Sequence, residues 1–298
     1  MRCNLATVGK PNVNNKHLKY QKSICVVISS LIANLLTACN TVPGVFLSSR
    51  TNQRADIPKV ITVPINRIKN PINLQSSQLN KVENLTFTVP TKYQGKTVYH
   101  VQPNSSEKVI ALTIDDGPWK NTTSQLLDIL KENHIKATFF WVGQALQEQP
   151  DLAKREVAEG HAIGNHTWHH WYRQMDQATA KSEIERTANL IYQITGVKTS
   201  LFRPPGGFLN NGLAAYAKSQ KDAVVMWSLT SADTDPHAKP QAFVNNVLKG
   251  AKSGAIVLMH DGGGNRQRTI QALPQIISGL KQQGYRFVTV PELLQIQS

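Results

Sequence analysis

Cysteine disappears early from this chain of 298 residues: Cys3, Cys25 and Cys39 are the only three. Residues 40–298 therefore hold neither a disulfide framework nor a thiolate metal site. Acidic groups are also scarce, with 19 Asp/Glu against 33 Lys/Arg and a net charge of +14. The imbalance is local: residues 1–85 carry 11 Lys/Arg and 2 Asp/Glu, whereas residues 86–298 carry 22 and 17. A basic chain suits nucleic acid, anionic lipid or an acidic glycan. No nucleic-acid motif accompanies the charge, so no nucleic-acid partner is expected. No apolar run reaches the ~20 residues of a bilayer-spanning helix, and there is no internal repeat. What is present is 40% apolar residues, enough for a globular core.

Lys16, Lys19 and Lys22 precede a largely apolar segment of 15 residues, Ile24 to Ala38. A basic stretch followed by a short apolar one reads as an export signal. Its end, Leu36-Thr37-Ala38-Cys39, resembles the lipobox of bacterial lipoproteins, in which cleavage precedes the cysteine and the thiol is lipidated. The expected organisation is a lipoprotein-type signal over residues 1–38, a tether over 39–85 rich in Asn, Ser, Gln and Pro, and a folded catalytic domain over 86–298. Lipid on Cys39 would hold the protein to a bacterial envelope membrane, facing the periplasm or cell wall.

From residue 86 the texture changes. The β-rich runs 85–89 and 97–101, either side of Gln94-Gly95, predict a short N-terminal β-hairpin. Further strands are predicted at 109–114, 138–142, 161–164, 199–202, 223–228, 255–259 and 286–288. Between them, Ala180, Ile184, Ala188 and Ile191 share one face of a helix over 176–195, with Gly196 placed to end it. Ile270, Leu273, Ile277 and Leu280 do the same over 268–283, where Pro274 is expected to kink the helix or stand in its first turn. Repeated β-α alternation implies an α/β fold with a parallel sheet, open or closed. Seven such units favour a distorted (β/α) barrel.

The polar candidates sit just past the C-terminal ends of these strands, where parallel α/β folds carry their sites. In Thr113-Ile114-Asp115-Asp116-Gly117-Pro118, adjacent strand residues should point opposite ways. The turn at Gly117-Pro118 must then splay both carboxylates into one cleft; alone, the segment also reads as a surface turn. His166 and His170, in His166-Thr167-Trp168-His169-His170, would face one way on a helical turn and hold one metal; alone, they also read as a polar helix face. With a carboxylate they form a His-His-Asp set with an open position. That is a catalytic arrangement, because a structural site is closed by four protein ligands. Zn²⁺ suits two imidazoles and a carboxylate, and the affinity order also admits Co²⁺ or Ni²⁺. Three more segments follow: Phe202-Arg203-Pro204-Pro205-Gly206-Gly207, Trp227 to Asp233, and Leu258-Met259-His260-Asp261-Gly262-Gly263-Gly264-Asn265-Arg266. The last lacks the Gly-Lys-Ser/Thr ending of a phosphate loop.

In order and texture these five segments resemble the polysaccharide deacetylase family (carbohydrate esterase family 4, the NodB homology domain), over residues 86–298. The resemblance implies a distorted seven-stranded (β/α) barrel and a metal-dependent hydrolase. It assigns Asp115 as general base, Asp116, His166 and His170 as metal ligands, and Arg203 as the group orienting the base. It also assigns Asp233 as the partner of His260, His260 as general acid, and Leu258 as a wall of the acetyl-methyl pocket. The backbone N–H of Gly206 would help hold an oxyanion. Gly206 stands where the family usually has Tyr, Thr230 where it has Asp, and Thr234 where it has Trp, so the substrate pocket departs more than the chemistry. The expected activity is removal of N-acetyl groups from N-acetylglucosamine residues of peptidoglycan or a related envelope polysaccharide. The alternatives are an O-acetyl polysaccharide (xylan-type) esterase and an inactive glycan-binding lipoprotein.

Overall fold

The computed structural model of the chain describes residues 85–104 and 106–296. The expected signal, Cys39 and all but the last residue of the tether lie outside the described residues. Among the described residues, no helix is long and apolar enough to cross a membrane.

The described residues open with two short strands, β1 (Thr86–Phe87) and β2 (Thr97–Val98), before the alternation starts. There follow β3 (Val109–Asp115), α1 (Thr122–Glu132), β4 (Thr138–Trp141), α2 (Gly143–Glu148), α3 (Pro150–Ala158) and β5 (Ala162–Asn165). Next come α4 (Gln177–Thr195), β6 (Lys198–Thr199), β7 (Leu201–Phe202), α5 (Leu213–Ser219), β8 (Ala223–Val225) and β9 (Leu229–Thr230). The last elements are α6 (Pro240–Gly250), β10 (Ala255–His260), α7 (Gln267–Gln282), β11 (Arg286–Phe287) and α8 (Val290–Ile296). Each of the seven predicted strand segments contains a strand. One is interrupted, with β6 and β7 flanking Ser200; segment 223–228 is strand only through β8, and β9 follows just beyond it.

Among the described residues, nine strands form one sheet, in the order β2-β8-β7-β5-β4-β3-β10-β9 with β11 also on β3. Every ladder in it is parallel. Segment 223–230 curls this sheet. Its first part pairs with β7 (Leu201↔Ala223, Phe202↔Val224) and its last with β10 (Val257↔Leu229, Leu258↔Thr230). One stretch of chain therefore joins both flanks, bending the sheet into the distorted barrel.

All seven residues of β3 are buried, and their alternation sorts the core into layers. Ile110, Leu112 and Ile114 pack with Leu126 and Leu130 of α1 and Ile277 and Leu280 of α7. Val109 and Ala111 pack with Phe140, Val225 and Ile256, and with Leu293 and Leu294 of α8. Burial of each large aliphatic side chain is worth about 1.5–3 kcal/mol, which pins the register. A slip of one residue would turn Thr113 and Asp115 from the row of Val109 and Ala111 into the helix layer.

The predicted hairpin does not form. β1 pairs in parallel with β6 (Thr86↔Lys198), and β2 in parallel with β8 (Thr97↔Val224). Pro90 opens a 3-10 turn over Thr91–Tyr93, and the Gly95 N–H then donates to Asp222 O at 3.2 Å. The turn thus hands the chain to β8 instead of folding it back on itself. The helix over 177–195 is set by its ends: Asp176 Oδ1 accepts from Thr179 N at 2.7 Å, and Gly196 takes the left-handed conformation at φ 70. Pro274 lies neither in the first turn of α7 nor at a break in it; α7 runs through it without interruption.

Candidate active site

Asp115 ends β3 on the row that begins with Val109 and Ala111, and Arg203 follows β7 into the same region, fully buried. Arg203 Nη1 donates to Asp115 Oδ1 at 2.7 Å and to Thr113 Oγ1 at 2.8 Å. Its Nε reaches Val225 O at 2.9 Å and Nη2 reaches Met226 O at 3.1 Å, and the guanidinium lies 4.1 Å over the Phe140 ring. A buried cation is tolerated only with such pairing. Thr113, one of its acceptors, is itself fixed by donating to Val257 O at 2.7 Å.

Asp116 would face the helices if β3 simply continued. It adopts φ 79 instead, and the Gly117-Pro118 peptide after it is cis. Its Oδ1 comes to 3.6 Å from His166 Nε2 and 3.1 Å from His170 Nε2. The helical turn expected for the two histidines is absent, since residues 166–170 are loop. Left-handed Thr167 (φ 70) and His170 (φ 59) turn the rings together, and the two Nε2 atoms stand 3.2 Å apart. Thr167 N donates to Asn165 Oδ1 and His170 N to Thr167 Oγ1, fastening the turn. From behind, buried Glu183 of α4 accepts from Trp168 N (3.1 Å), His169 N (2.9 Å) and His169 Nδ1 (2.5 Å).

The donor set fits a divalent cation. One ligand atom each from Asp116, His166 and His170 lies within 4.8 Å of the others. Asp116 Oδ1 is buried without an aligned hydrogen bond, although two imidazole nitrogens lie beside it. His166 Nδ1 lies 2.7 Å from Arg203 O. A carbonyl only accepts, so Nδ1 carries the proton and Nε2 presents its lone pair. Burial pushes His166 down to about 4, against the pull of Asp115 and Asp116, which keeps the ring neutral as a ligand must be. Burial alone would raise the Asp116 carboxyl. The contact with His170 and the charges of His170 and His260 outweigh it and hold that carboxyl well below the usual range.

His260 ends β10, directly across from Asp115 on β3. Its Nδ1 lies 2.9 Å from Asp233 Oδ1, and its backbone N–H donates to Oδ2 at 2.9 Å. Thr269 Oγ1 donates to the same Oδ2 at 2.9 Å. Burial would lower the His260 pKa, but the hydrogen bond and charge of Asp233 raise it above the ordinary value. In return, His260 outweighs burial at Asp233 and lowers that carboxyl.

A cleft of about 440 Å³ opens between these groups. Asp115, Asp116, His166, His170, Gly206, Leu258 and His260 all line it, while Arg203 and Asp233 stand behind, holding Asp115 and His260. Tyr172, Trp227 and Arg266 also line it; Trp227 and Arg266 bound two of the candidate segments without an assigned role, and Tyr172 lies outside all five. Glu183 was missed as well. Its signal was a carboxylate beside Ile184 in the apolar face of α4, a charge that burial requires to have a partner.

The polysaccharide deacetylase family description matches residues 102–224. A Bacillus cereus peptidoglycan-N-acetylglucosamine deacetylase is 43% identical over 194 residues, covering 64% of this chain and 90% of that protein. A bifunctional xylanase/deacetylase of Pseudobutyrivibrio xylanivorans is 39% identical over 194 residues, but the match spans only 31% of that longer protein. Among solved structures, the Bc1960 peptidoglycan N-acetylglucosamine deacetylase superposes with a TM-score of 0.64 at 32% identity, covering 68% of this chain and 94% of that one. A CE4 family pseudoenzyme from Bacillus anthracis superposes at 0.60 with 30% identity, covering 66% and 68%. By sequence, by fold and by the arrangement of its cleft, the chain belongs to the polysaccharide deacetylase family.

Proposed function

We propose that the protein is a metal-dependent hydrolase that removes N-acetyl groups from N-acetylglucosamine residues of peptidoglycan or a related envelope polysaccharide. The observation that carries this reading is the pairing of two supported acid–base groups, Asp115 with Arg203 and His260 with Asp233, on adjacent strands around the Asp116-His166-His170 cluster. Those three residues would hold the cation, Zn²⁺ by its donor set with Co²⁺ as the second candidate. When bound, the ion supplies a Lewis acid that acidifies water and polarises the acetyl oxygen.

The other roles belong to the chain. Asp115 accepts the proton of the attacking water, its carboxylate aimed by Arg203. Of the residues lining the cleft, Gly206 would offer its backbone N–H to the developing oxyanion, and Leu258 would border the space for the acetyl methyl group. His260, kept cationic by Asp233, protonates the departing amine. An ester leaving group has little need of that proton, so the His260–Asp233 pair favours amide over O-acetyl substrates. A binding protein would need neither pair.

An envelope substrate agrees with the address read from the sequence: a lipoprotein signal over 1–38, lipidated Cys39, a tether to residue 85 and the catalytic domain over 86–298. The test is acetate release by the full chain from peptidoglycan and N-acetylglucosamine oligomers, before and after chelation and after return of Zn²⁺ or Co²⁺. Release that stops with chelator and returns with metal is expected. Folded, metal-loaded protein that liberates no acetate from any glycan amide would sink the reading.

A further inference from the structure

Gly206 and Tyr172 compete for one space. Gly206 stands at φ 61 in the turn after Arg203, and a Cβ there would come within 2.9 Å of the Phe208 ring and 3.1 Å of the Tyr172 ring. Those two rings lie 5.6 Å apart, and Tyr172 also meets the His170 ring edge-on at 5.2 Å. Tyr172 nevertheless remains 57% exposed, in the wall of the catalytic cleft. Two neighbours thus hold its ring in place while more than half of the residue's surface stays exposed, directly beside the metal cluster. Trp227 repeats the pattern, for a Cβ at Gly207 would lie 2.8 Å from its ring. At two successive positions the chain omits a side chain where an aromatic ring from another segment enters.

We infer that Tyr172 is a specificity-determining residue: its ring is the surface on which the apolar face of the acetylated sugar packs, and Gly206 is side-chain-free to admit it. The inference rests on the amino-sugar reading above. Aromatic rings suit a pyranose because they offer a large, rigid apolar face at little entropic cost. Tyr172 lies two residues beyond His170, so the sugar wall and a metal ligand are built on one loop, and the reacting amide is positioned relative to the ion by a single segment.

The experiment measures steady-state acetate release from an N-acetylglucosamine tetramer by the metal-loaded full chain. Tyr172→Ala should raise KM about tenfold, with a smaller fall in kcat. Tyr172→Phe, which keeps the ring, should retain the KM of the parent. Gly206→Ala should raise KM similarly by displacing the ring, and should add little when combined with Tyr172→Ala. Zn²⁺ affinity, measured by competition with a chromophoric chelator, should change far less than KM in Tyr172→Ala. An unchanged KM in that variant overturns the inference. So does a loss of Zn²⁺ affinity in step with KM, since Tyr172 would then only support the loop. Failure of the amino-sugar reading would show in the parent chain as absence of acetate release, and would be distinguishable from failure of the variants alone.

Discussion

His166 and His260 are the same residue type, one buried and one part-buried at the edge of one cleft, yet their proton affinities move in opposite directions. His166 turns Nδ1 to a neutral carbonyl, Arg203 O, and burial wins, taking the ring down to about 4. His260 turns Nδ1 to a carboxylate, Asp233, and the charge wins, taking the ring above its ordinary value. One side of the cleft is therefore built to offer lone pairs and the other to offer a proton. The group behind each ring decides which, not the ring itself.

The sharpest break of this contrast removes the neutral side. His166→Ala should abolish both Zn²⁺ affinity and acetate release, read by calorimetry and by acetate assay on one preparation; full Zn²⁺ affinity in the variant would contradict the ligand assignment. His260→Ala should separate the two sides. Acetate release from the amide should fall by about 10²–10⁴-fold with Zn²⁺ affinity retained, and an O-acetyl ester of the same sugar should lose far less; equal losses on amide and ester would refute a general-acid role.

The smallest effect expected is a shift rather than a loss. His260 acts protonated, so its contribution is present below its raised pKa and disappears as pH climbs through it. Asp233→Asn removes the charge that raises it, moving the alkaline limb of the kcat profile to lower pH. A shift of about one unit costs about tenfold on that limb and little on the acid side. An unmoved limb would show that another group controls it.

How much of this was legible beforehand depended on the range of the interactions. Most of the seven strand segments after residue 105 were visible because burial on both faces gives short, near-continuous apolar runs. The α4 boundaries were visible because Asp176 and Gly196 act locally. The hairpin failed because β1 and β2 find partners more than a hundred residues away, at β6 and β8, which no local pattern encodes. The helical turn at His166–His170 failed for a related reason. The turn of left-handed Thr167 and His170 is held by Asn165 at Thr167 and by distant Glu183 at Trp168 and His169, and nothing in their side chains announces that conformation. Tyr172 escaped notice because its place depends on the missing side chain of Gly206, seen only when the two loops are brought together.

Arg203 ties these threads in another way. Its donors span β3, through Thr113 and Asp115, and the closing segment of the barrel, through Val225 and Met226. The clasp that shuts the sheet is thus also the aiming device of the base, 88 residues away in sequence. Until that long-range contact forms, Asp115 has no fixed direction. A chain whose sheet has not closed lacks that clasp, so the base is aimed only after a contact between residues far apart in sequence has formed. Lysine could not stand in, because a single ammonium cannot reach four acceptors arranged for a planar fork. Hydrolysis is, for this fold, a reporter of completed assembly.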